Sequence, residues 1–117
     1  MKKVNKSRLI TLAIFIGIAA IIFFSLTSEP KVELTDEQVA ICIGEKATLY
    51  VNLGCPHCES QKKAFGENVK HLKVFDCYYY GDLCKEEEIR AYPTWKIENK
   101  QVLGRQSIEN LRVLTGC

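Results

Sequence analysis

The sequence predicts an α/β domain with a mixed four-stranded sheet flanked by helices, preceded by one apolar helix. Two observations indicate the domain: short runs rich in β-forming residues alternate with helical segments, and only a turn separates the last two runs. A third observation indicates the apolar helix. Residues 9–26 carry no charge over a length close to the thickness of a hydrocarbon core. With 117 residues, the chain has room for one domain besides this helix.

The N-terminal part has the organisation of a membrane anchor. A basic cytoplasmic tail over residues 1–8 precedes the transmembrane segment 9–26, and residues 27–34 form a linker. The segment exceeds the usual apolar core of a signal peptide and lacks a good cleavage site, so we expect a retained anchor, with cleavage as the alternative. Four basic residues before the span predict a single-pass cell-membrane protein with a cytoplasmic N-terminus and an extracytoplasmic domain over 35–117.

The domain is predicted to begin with a helix that runs to residue 44. Thr35 can cap this helix while Gln38 reaches back to the cap. Residues 47–53 are rich in β-formers and short enough for a buried strand. This strand leads directly to a second helix that begins at Pro56.

The remaining elements follow from turn and capping signals along the rest of the chain. They are, in order, the end of the second helix near 66–68, a strand over 72–76, a short helix over 84–91, strands over 94–98 and 101–103, and a last helix over 108–114 capped by Ser107. In this order, helices separate the first three strands, and the last two strands form a hairpin. A mixed sheet therefore follows from the pattern.

The motif Cys55-Pro56-His57-Cys58 carries the predicted chemistry. Thiol-disulfide exchange needs one thiolate to attack and a second thiol to resolve the mixed disulfide. At a helix start, unpaired N–H groups and the positive end of the macrodipole favour the Cys55 thiolate, and Pro56 suits the first helical position. Cys58 lies one turn further as the resolving thiol. His57 is predicted to stabilise the thiolate, which makes the disulfide more oxidising.

Composition and cysteine spacing limit the other function classes. A C-x-x-C motif is also half of a zinc site, but the remaining cysteines stand singly, so we expect no metal. We also expect no cofactor beyond the redox-active Cys55–Cys58 disulfide. Over residues 35–117, 11 Lys or Arg stand against 12 Asp or Glu, so no nucleic-acid partner is expected. Six cysteines in a small domain fit an oxidising compartment.

The strand, the C-x-x-C helix start and a later Tyr92-Pro93-Thr94 before a strand resemble the thioredoxin superfamily. The resemblance implies a thioredoxin-like fold with a cis bond between Tyr92 and Pro93. It also implies that Tyr92, Pro93 and Thr94 bind the substrate, with Thr94 presenting backbone groups to a client protein. An ordinary proline at the start of a strand is the alternative.

A narrower resemblance covers about residues 49–116. The matching motifs, in chain order, are residues 55–62, Phe65-Gly66, Asp76-Cys77, Cys84 nine residues before Pro93, residues 92–95, and residues 104–109. They are similar to the thioredoxin-like domain fused to, or partnered with, bacterial and archaeal vitamin K epoxide reductase homologues, which pass electrons to a quinone. Since this chain has one span and no reductase portion, the resemblance implies a separate membrane oxidase as partner.

Two further cysteine pairs are predicted as structural disulfides. Cys77 and Cys84 match an additional pair of the family, with an electron relay as the alternative role. Cys42 and Cys117 remain. In the thioredoxin arrangement, the helix of Cys42 and the last helix both end at the sheet edge away from the active site, so the two residues can meet. Helices on opposite faces of the sheet would keep them apart.

These features predict a membrane-anchored, extracytoplasmic thiol-disulfide oxidoreductase that oxidises client proteins. The electrons would pass to a quinone-linked membrane oxidase. One alternative is a reductase or isomerase fed by a membrane electron transporter, because the sequence does not fix the reduction potential. The other is a non-enzymatic binding module that presents the tyrosines at 78–80 to a partner.

Overall fold

The computed structural model describes residues 3–27 and 33–117. The chain divides into two compact units, Met1–Glu33 and Leu34–Cys117. Most of the predicted linker over 27–34, and the first two residues of the predicted basic tail, lie outside the described residues.

The first unit contains the helix α1, Lys6–Thr27. Its large apolar side chains are exposed over residues 9–26. By length and composition, the segment Lys6–Leu26 could cross a membrane. The structure therefore places a helix over the predicted span.

The second unit contains nine elements among the described residues. They are α2 (Asp36–Lys46), β1 (Ala47–Val51), α3 (Pro56–Ala64), a 3₁₀ segment (Gly66–His71), β2 (Lys73–Asp76), α4 (Gly81–Glu86), β3 (Thr94–Ile97), β4 (Lys100–Leu103) and α5 (Ile108–Thr115). The sheet has the order β2-β1-β3-β4, in which β1 and β2 are parallel and the other pairs are antiparallel. This mixed sheet with flanking helices is the thioredoxin-like fold, and the predicted fold class is confirmed.

The sheet separates two apolar clusters, which we call the main core and the minor core. The main core contains Val39, Ala40, Ile43, Ala47, Leu49, Val51, Cys58, Phe65, Leu72, Trp95, Ile97 and Leu111. The minor core contains Tyr50, Cys77, Cys84 and Ile89. Successive residues of a strand point to opposite faces, so neighbouring residues of β1 enter different clusters. Helices α2, α3 and α5 therefore cover one face of the sheet, and α4 covers the other.

The cap of α2 shows how local sequence begins an element. The N–H of Gln38 donates to the Thr35 hydroxyl at 3.3 Å, and the N–H of Thr35 donates to the Gln38 side-chain oxygen at 3.0 Å. This reciprocal capping box satisfies two donors that the helix itself leaves unpaired. Both partners lie within four residues of each other, so the sequence alone predicts the start of α2.

The 3₁₀ segment Gly66–His71 is a correction to the sequence prediction, which has no element between α3 and β2. It packs against α2, where Gly44 approaches so closely that a Cβ atom there would overlap the carbonyl oxygen of His71. The His71 ring Nε2 also lies 3.0 Å from Glu37 Oε1 on α2. Tertiary contacts with α2 therefore help hold this segment, whereas the sequence prediction rests on local signals.

Helix α4 begins three residues earlier than predicted, at Gly81 instead of residue 84, and ends at Glu86 instead of residue 91. The N–H of Tyr80 donates to the carbonyl of Asp76 at 2.9 Å, so the chain turns as soon as β2 ends. Glu88 adopts a left-handed conformation with φ of 55°, which does not continue a right-handed helix. These two turns set the bounds of α4.

Candidate active site

Cys55 is the N-cap of α3, with an extended backbone at φ −91° and ψ 108°. Its Sγ accepts a hydrogen bond from the backbone N–H of Cys58 at 3.2 Å. Pro56 occupies the first turn, where its missing donor is no loss. The Cys55 sulfur therefore lies among unpaired N–H groups at the positive end of a helix, an environment that stabilises a thiolate.

Cys55 and Cys58 form a disulfide with Cα atoms 5.3 Å apart. Cys55 is half-buried, whereas Cys58 is 1% exposed and belongs to the main core. A thiolate from another protein can therefore reach Cys55 but not Cys58. This difference in access agrees with the predicted roles of Cys55 in the intermolecular step and Cys58 in resolution, which stay predictions.

The loop before Cys55 is held by Asp76 at the end of β2. One carboxylate oxygen of Asp76 accepts the backbone N–H of Leu53 at 3.1 Å and that of Tyr78 at 2.9 Å. Gly54, which lies between Leu53 and Cys55, has φ of +77°, a conformation that favours glycine. Asp76 thereby joins the approach to the disulfide to the turn that carries the tyrosines. No sequence signal identifies this role beyond the position of an acid at a strand end.

His57 lies between the two cysteines and is exposed. It is in the first turn of α3, two residues after the half-buried Cys55. This position allows the imidazole to act on the Cys55 thiolate after reduction, as the sequence predicts. The role of His57 in setting the reduction potential stays a prediction.

The bond between Tyr92 and Pro93 is cis. Strands β1 and β3 are antiparallel with Tyr50 opposite Thr94, so Pro93 lies at the sheet edge where β1 leaves towards Cys55. The structure thus brings the C-x-x-C helix start and the Pro93 loop to one edge. Pro93 itself is fully buried, and its carbonyl accepts the N–H of Gly104 at 2.8 Å.

The predicted contact of Thr94 with a client stays a prediction. Thr94 is 0% exposed and lies between Tyr50 of β1 and Leu103 of β4 in the sheet. Its hydroxyl donates to the carbonyl of Ala91 at 2.7 Å, so the side chain secures the loop before Pro93. Tyr92, the residue before Pro93, is half-buried.

Gln61 is a polar residue of this region that the sequence prediction does not single out. It is 1% exposed, and its side chain bonds to both main-chain groups of Gln106 and to the Trp95 ring. A glutamine in a helix that carries Lys62 and Lys63 is typical of a solvent-facing side. Only its distant partners reveal that it faces inward.

The other cysteines are also paired, and none of the six is free. Cys77 joins Cys84 with Cα atoms 5.7 Å apart, between the end of β2 and α4. Cys42 joins Cys117 with Cα atoms 6.0 Å apart, between α2 and the residue after Gly116. The alternative that would separate Cys42 from Cys117 does not apply, because α2 and α5 cover the same face of the sheet.

The tyrosines at 78–80 form an exposed cluster beside the minor core. Tyr78 and Tyr79 are 66% and 69% exposed, and their rings meet edge to face with centroids 5.0 Å apart. The Tyr80 ring instead packs edge to face on Phe75 at 5.4 Å. In contrast, Tyr50 is buried on the same side of the sheet, and burial raises the pKa of its phenol.

Titratable side chains do not assemble into a metal site within residues 3–27 and 33–117. There, no group of three or more His, Cys, Asp or Glu residues could hold a metal ion.

No family model matches the chain. Among curated proteins, the chain is similar to the thiol-disulfide oxidoreductase LTO1 of Arabidopsis thaliana, with 32% identity over 79 residues. The match covers 60% of this chain and 21% of LTO1, so the chain spans about a fifth of that relative. Among solved structures, the NTD_N/C domain of alkylhydroperoxide reductase AhpF from Enterococcus faecalis aligns with a TM-score of 0.46 and 16% identity, covering 70% of this chain and 45% of that one.

Proposed function

We propose that this chain is a membrane-anchored thiol-disulfide oxidoreductase that oxidises client proteins through Cys55 and Cys58. The observation that carries the proposal is the position of Cys55, half-buried at the N-cap of α3 with its sulfur accepting the N–H of Cys58 at 3.2 Å. The similarity to LTO1, which is named a thiol-disulfide oxidoreductase, supports the same reaction class.

The proposed reaction exchanges two electrons and two protons between a client dithiol and the Cys55–Cys58 disulfide. A client thiolate attacks the Cys55 sulfur and displaces the Cys58 thiolate, which leaves a mixed disulfide between the client and Cys55. The second client thiolate then attacks its own partner sulfur and releases Cys55 as a thiolate. The client leaves with a disulfide, and Cys55 and Cys58 are reduced. The helix N-terminus makes Cys55 a good leaving group in this second step.

Reoxidation requires an electron acceptor, and we assign this role to a separate quinone-linked membrane oxidase of the vitamin K epoxide reductase type. The reduced Cys55 and Cys58 would pass their electrons and protons through that enzyme to a quinone, which becomes a quinol. The motif pattern around the C-x-x-C and Pro93 supports this partner, and α1 would keep the domain at the same membrane. The catalytic domain would then lie on the extracytoplasmic side, as the basic tail suggests.

Trapping of mixed disulfides tests the exchange activity. In the full chain, Cys58→Ser leaves Cys55 as a free thiolate that runs the exchange in reverse: it attacks the disulfide of an oxidised client and expels one client sulfur as a thiolate. Without Cys58 to attack the new bond, clients linked to Cys55 are expected to accumulate on non-reducing gels. The matched control, Cys55→Ser with Cys58 intact, should trap few or none because Cys58 is 1% exposed. A binding module would instead keep its partner in both variants without a covalent link. Absence of any reductant-sensitive adduct in Cys58→Ser would remove the catalytic proposal.

The direction of electron flow is tested by the reduction potential of Cys55–Cys58 in the full chain. A potential near about −120 mV is that of a strong oxidant, and one near about −270 mV is that of a reductant. We expect a value in the upper part of this range. A value at the lower end would favour the alternative, a reductase or isomerase that receives electrons from a membrane transporter.

Membrane anchoring and orientation need a separate test. The chain is expected to resist alkaline carbonate extraction, and the reduced Cys55 should react with an impermeant maleimide in sealed right-side-out vesicles. Labelling only after the vesicles are opened would place the domain on the cytoplasmic side. Release by carbonate would contradict the anchor.

A further inference from the structure

Gln61 has no part in the exchange steps, yet its side chain makes three hydrogen bonds in the interior of the domain. Its Oε1 accepts the Trp95 Nε1–H at 3.2 Å and the backbone N–H of Gln106 at 2.7 Å, and its Nε2 donates to the Gln106 carbonyl at 3.0 Å. Buried polar groups with three partners hold neighbouring segments in fixed relative positions. The segments joined here are α3, β3 and the loop between β4 and α5.

Both segments that Gln61 contacts lead to Pro93. Trp95 lies two residues after Pro93 in the chain. Gln106 lies two residues after Gly104, whose N–H donates to the Pro93 carbonyl at 2.8 Å. Gln61 therefore reaches Pro93 by two separate routes, one along β3 and one through the loop.

On its own helix, Gln61 lies close to the disulfide. Residues three apart on a helix are neighbours on one face, so Gln61 lies one turn beyond Cys58. Both residues are 1% exposed and face the interior. One side chain thus connects the helix that carries the disulfide to the segment that carries Pro93.

We propose that Gln61 is a positioning residue that sets the spacing between the Cys55–Cys58 disulfide and the Pro93 segment, and with it the cleft that receives a polypeptide substrate. The inference rests on the proposed function, because it concerns how a client reaches Cys55. A polypeptide must fit against the segment around Tyr92 while its sulfur approaches Cys55, and a misplacement of about 1 Å can cost up to about 100-fold in rate. A small dithiol does not touch that segment and does not depend on the spacing.

The proposal is tested by measuring the effect of one substitution on two reactions, one with a polypeptide substrate and one with a small dithiol. Gln61→Leu in the full chain, purified in detergent, removes all three hydrogen bonds at similar volume. The rate of reduction of the Cys55–Cys58 disulfide is measured with dithiothreitol and with a synthetic peptide that carries two cysteines. We expect the rate with the peptide to fall about tenfold or more, which corresponds to about 1.4 kcal/mol, while the rate with dithiothreitol changes less than about threefold.

The matched control is Ile43→Ala in α2, a 0% exposed residue of the main core that makes none of these hydrogen bonds. It is expected to lower the melting temperature without changing the ratio of the two rates. An equal change of ratio in this control, or an unchanged ratio in Gln61→Leu, overturns the proposal. If wild type reacts with neither substrate, the proposed function fails instead, so the two failures are distinguishable.

A second variant covers the case in which Gln61→Leu does not fold. Gln61→Glu keeps an oxygen to accept from Trp95 and from the N–H of Gln106, and in its ionised form it replaces the donation to the Gln106 carbonyl by a repulsion between two oxygens. Its peptide-to-dithiothreitol rate ratio should fall below that of wild type, though less than for Gln61→Leu. A ratio equal to that of wild type would overturn the proposal on this variant alone.

Discussion

The Cys55–Cys58 disulfide lies at the start of a helix beside the Pro93 segment, whereas the Cys42–Cys117 disulfide joins α2 to the residue after α5. Exposure does not distinguish the two, because Cys55, Cys42 and Cys117 are all half-buried. Two other properties do. The first bond closes a sequence separation of 3 residues and the second a separation of 75.

The second property is the backbone around each sulfur. Cys55 lies among the unpaired N–H groups at the beginning of α3, which favour a thiolate. Cys117 follows the end of α5, where its own N–H donates to the Arg112 carbonyl at 2.9 Å and the negative end of the helix disfavours a thiolate. Helix polarity and loop length, more than access, therefore distinguish the disulfide proposed for exchange from the one proposed for stability.

The largest expected effect is on exchange activity. Cys55→Ser should reduce the rate with a dithiol peptide to that of the buffer, because no other sulfur at this edge is accessible. Cys117→Ser, the matched substitution at the other disulfide, should leave that rate within about twofold in the folded protein, since an exchange rate depends on the attacked sulfur. Stopped-flow or gel-based thiol assays measure both. Equal losses in the two variants would erase the distinction between the disulfides.

The next effect is on stability. Replacing Cys42 and Cys117 together by Ser should lower the free energy of unfolding by about 4 kcal/mol, because a bond across 75 residues restricts the unfolded chain strongly. By the same relation, Cys55→Ser with Cys58→Ser should cost only about 2 kcal/mol for a separation of 3. Denaturant titrations of the two double variants give the comparison. A larger loss for the Cys55–Cys58 pair would reverse it.

A smaller effect concerns the environment of Cys55. His57→Ala should make the Cys55–Cys58 disulfide less oxidising by about 30 mV, which is a tenfold change in the exchange equilibrium. The reason is that the imidazole is expected to stabilise the reduced, thiolate form. Equilibration with glutathione measures the shift. The same assay on Lys63→Ala, an exposed change later in the helix, is the control, and an equal shift there would deny His57 a specific role.

The smallest effect concerns the helices near the Cys42–Cys117 disulfide, where a change in stability is expected without a change in exchange activity. Thr35→Ala removes the capping box of α2, the helix that carries Cys42, and should lower the free energy of unfolding by about 1 kcal/mol. Exchange activity should not change. Ser107→Ala, which removes the cap of α5 where the Asn110 N–H donates to the Ser107 hydroxyl, should act alike. Loss of activity in either variant would mean that the two regions are coupled.

The sequence predicts those features of the fold that depend on residues close together in the chain. The cap at Thr35, the helix start at Pro56 and the order of helices and strands along the chain follow from neighbouring residues. The fold class is therefore predictable. The start of α4 at Gly81 was missed because it depends on a turn held by the Asp76 carbonyl. The 3₁₀ segment was missed because it packs against a helix that precedes it by about 25 residues.

In the candidate site, too, residues of a local motif are predicted, whereas residues that depend on distant partners are not. Cys55, His57 and Cys58 form a short motif whose chemistry follows from spacing, so sequence alone predicts them. Gln61 escapes sequence analysis because its partner Gln106 is 45 residues away. The burial of Thr94 likewise depends on its neighbours in β1 and β4, which are distant in the sequence.

The Cys42–Cys117 bond has one more consequence, which concerns chain cleavage. The turn between β3 and β4 is exposed, and a protease that cuts between Glu98 and Asn99 would produce two pieces. Because the cut lies between Cys42 and Cys117, the pieces would stay joined as one molecule until a reductant separates them. The bond thus protects the covalent integrity of the domain against a single nick, a property that a melting curve does not record.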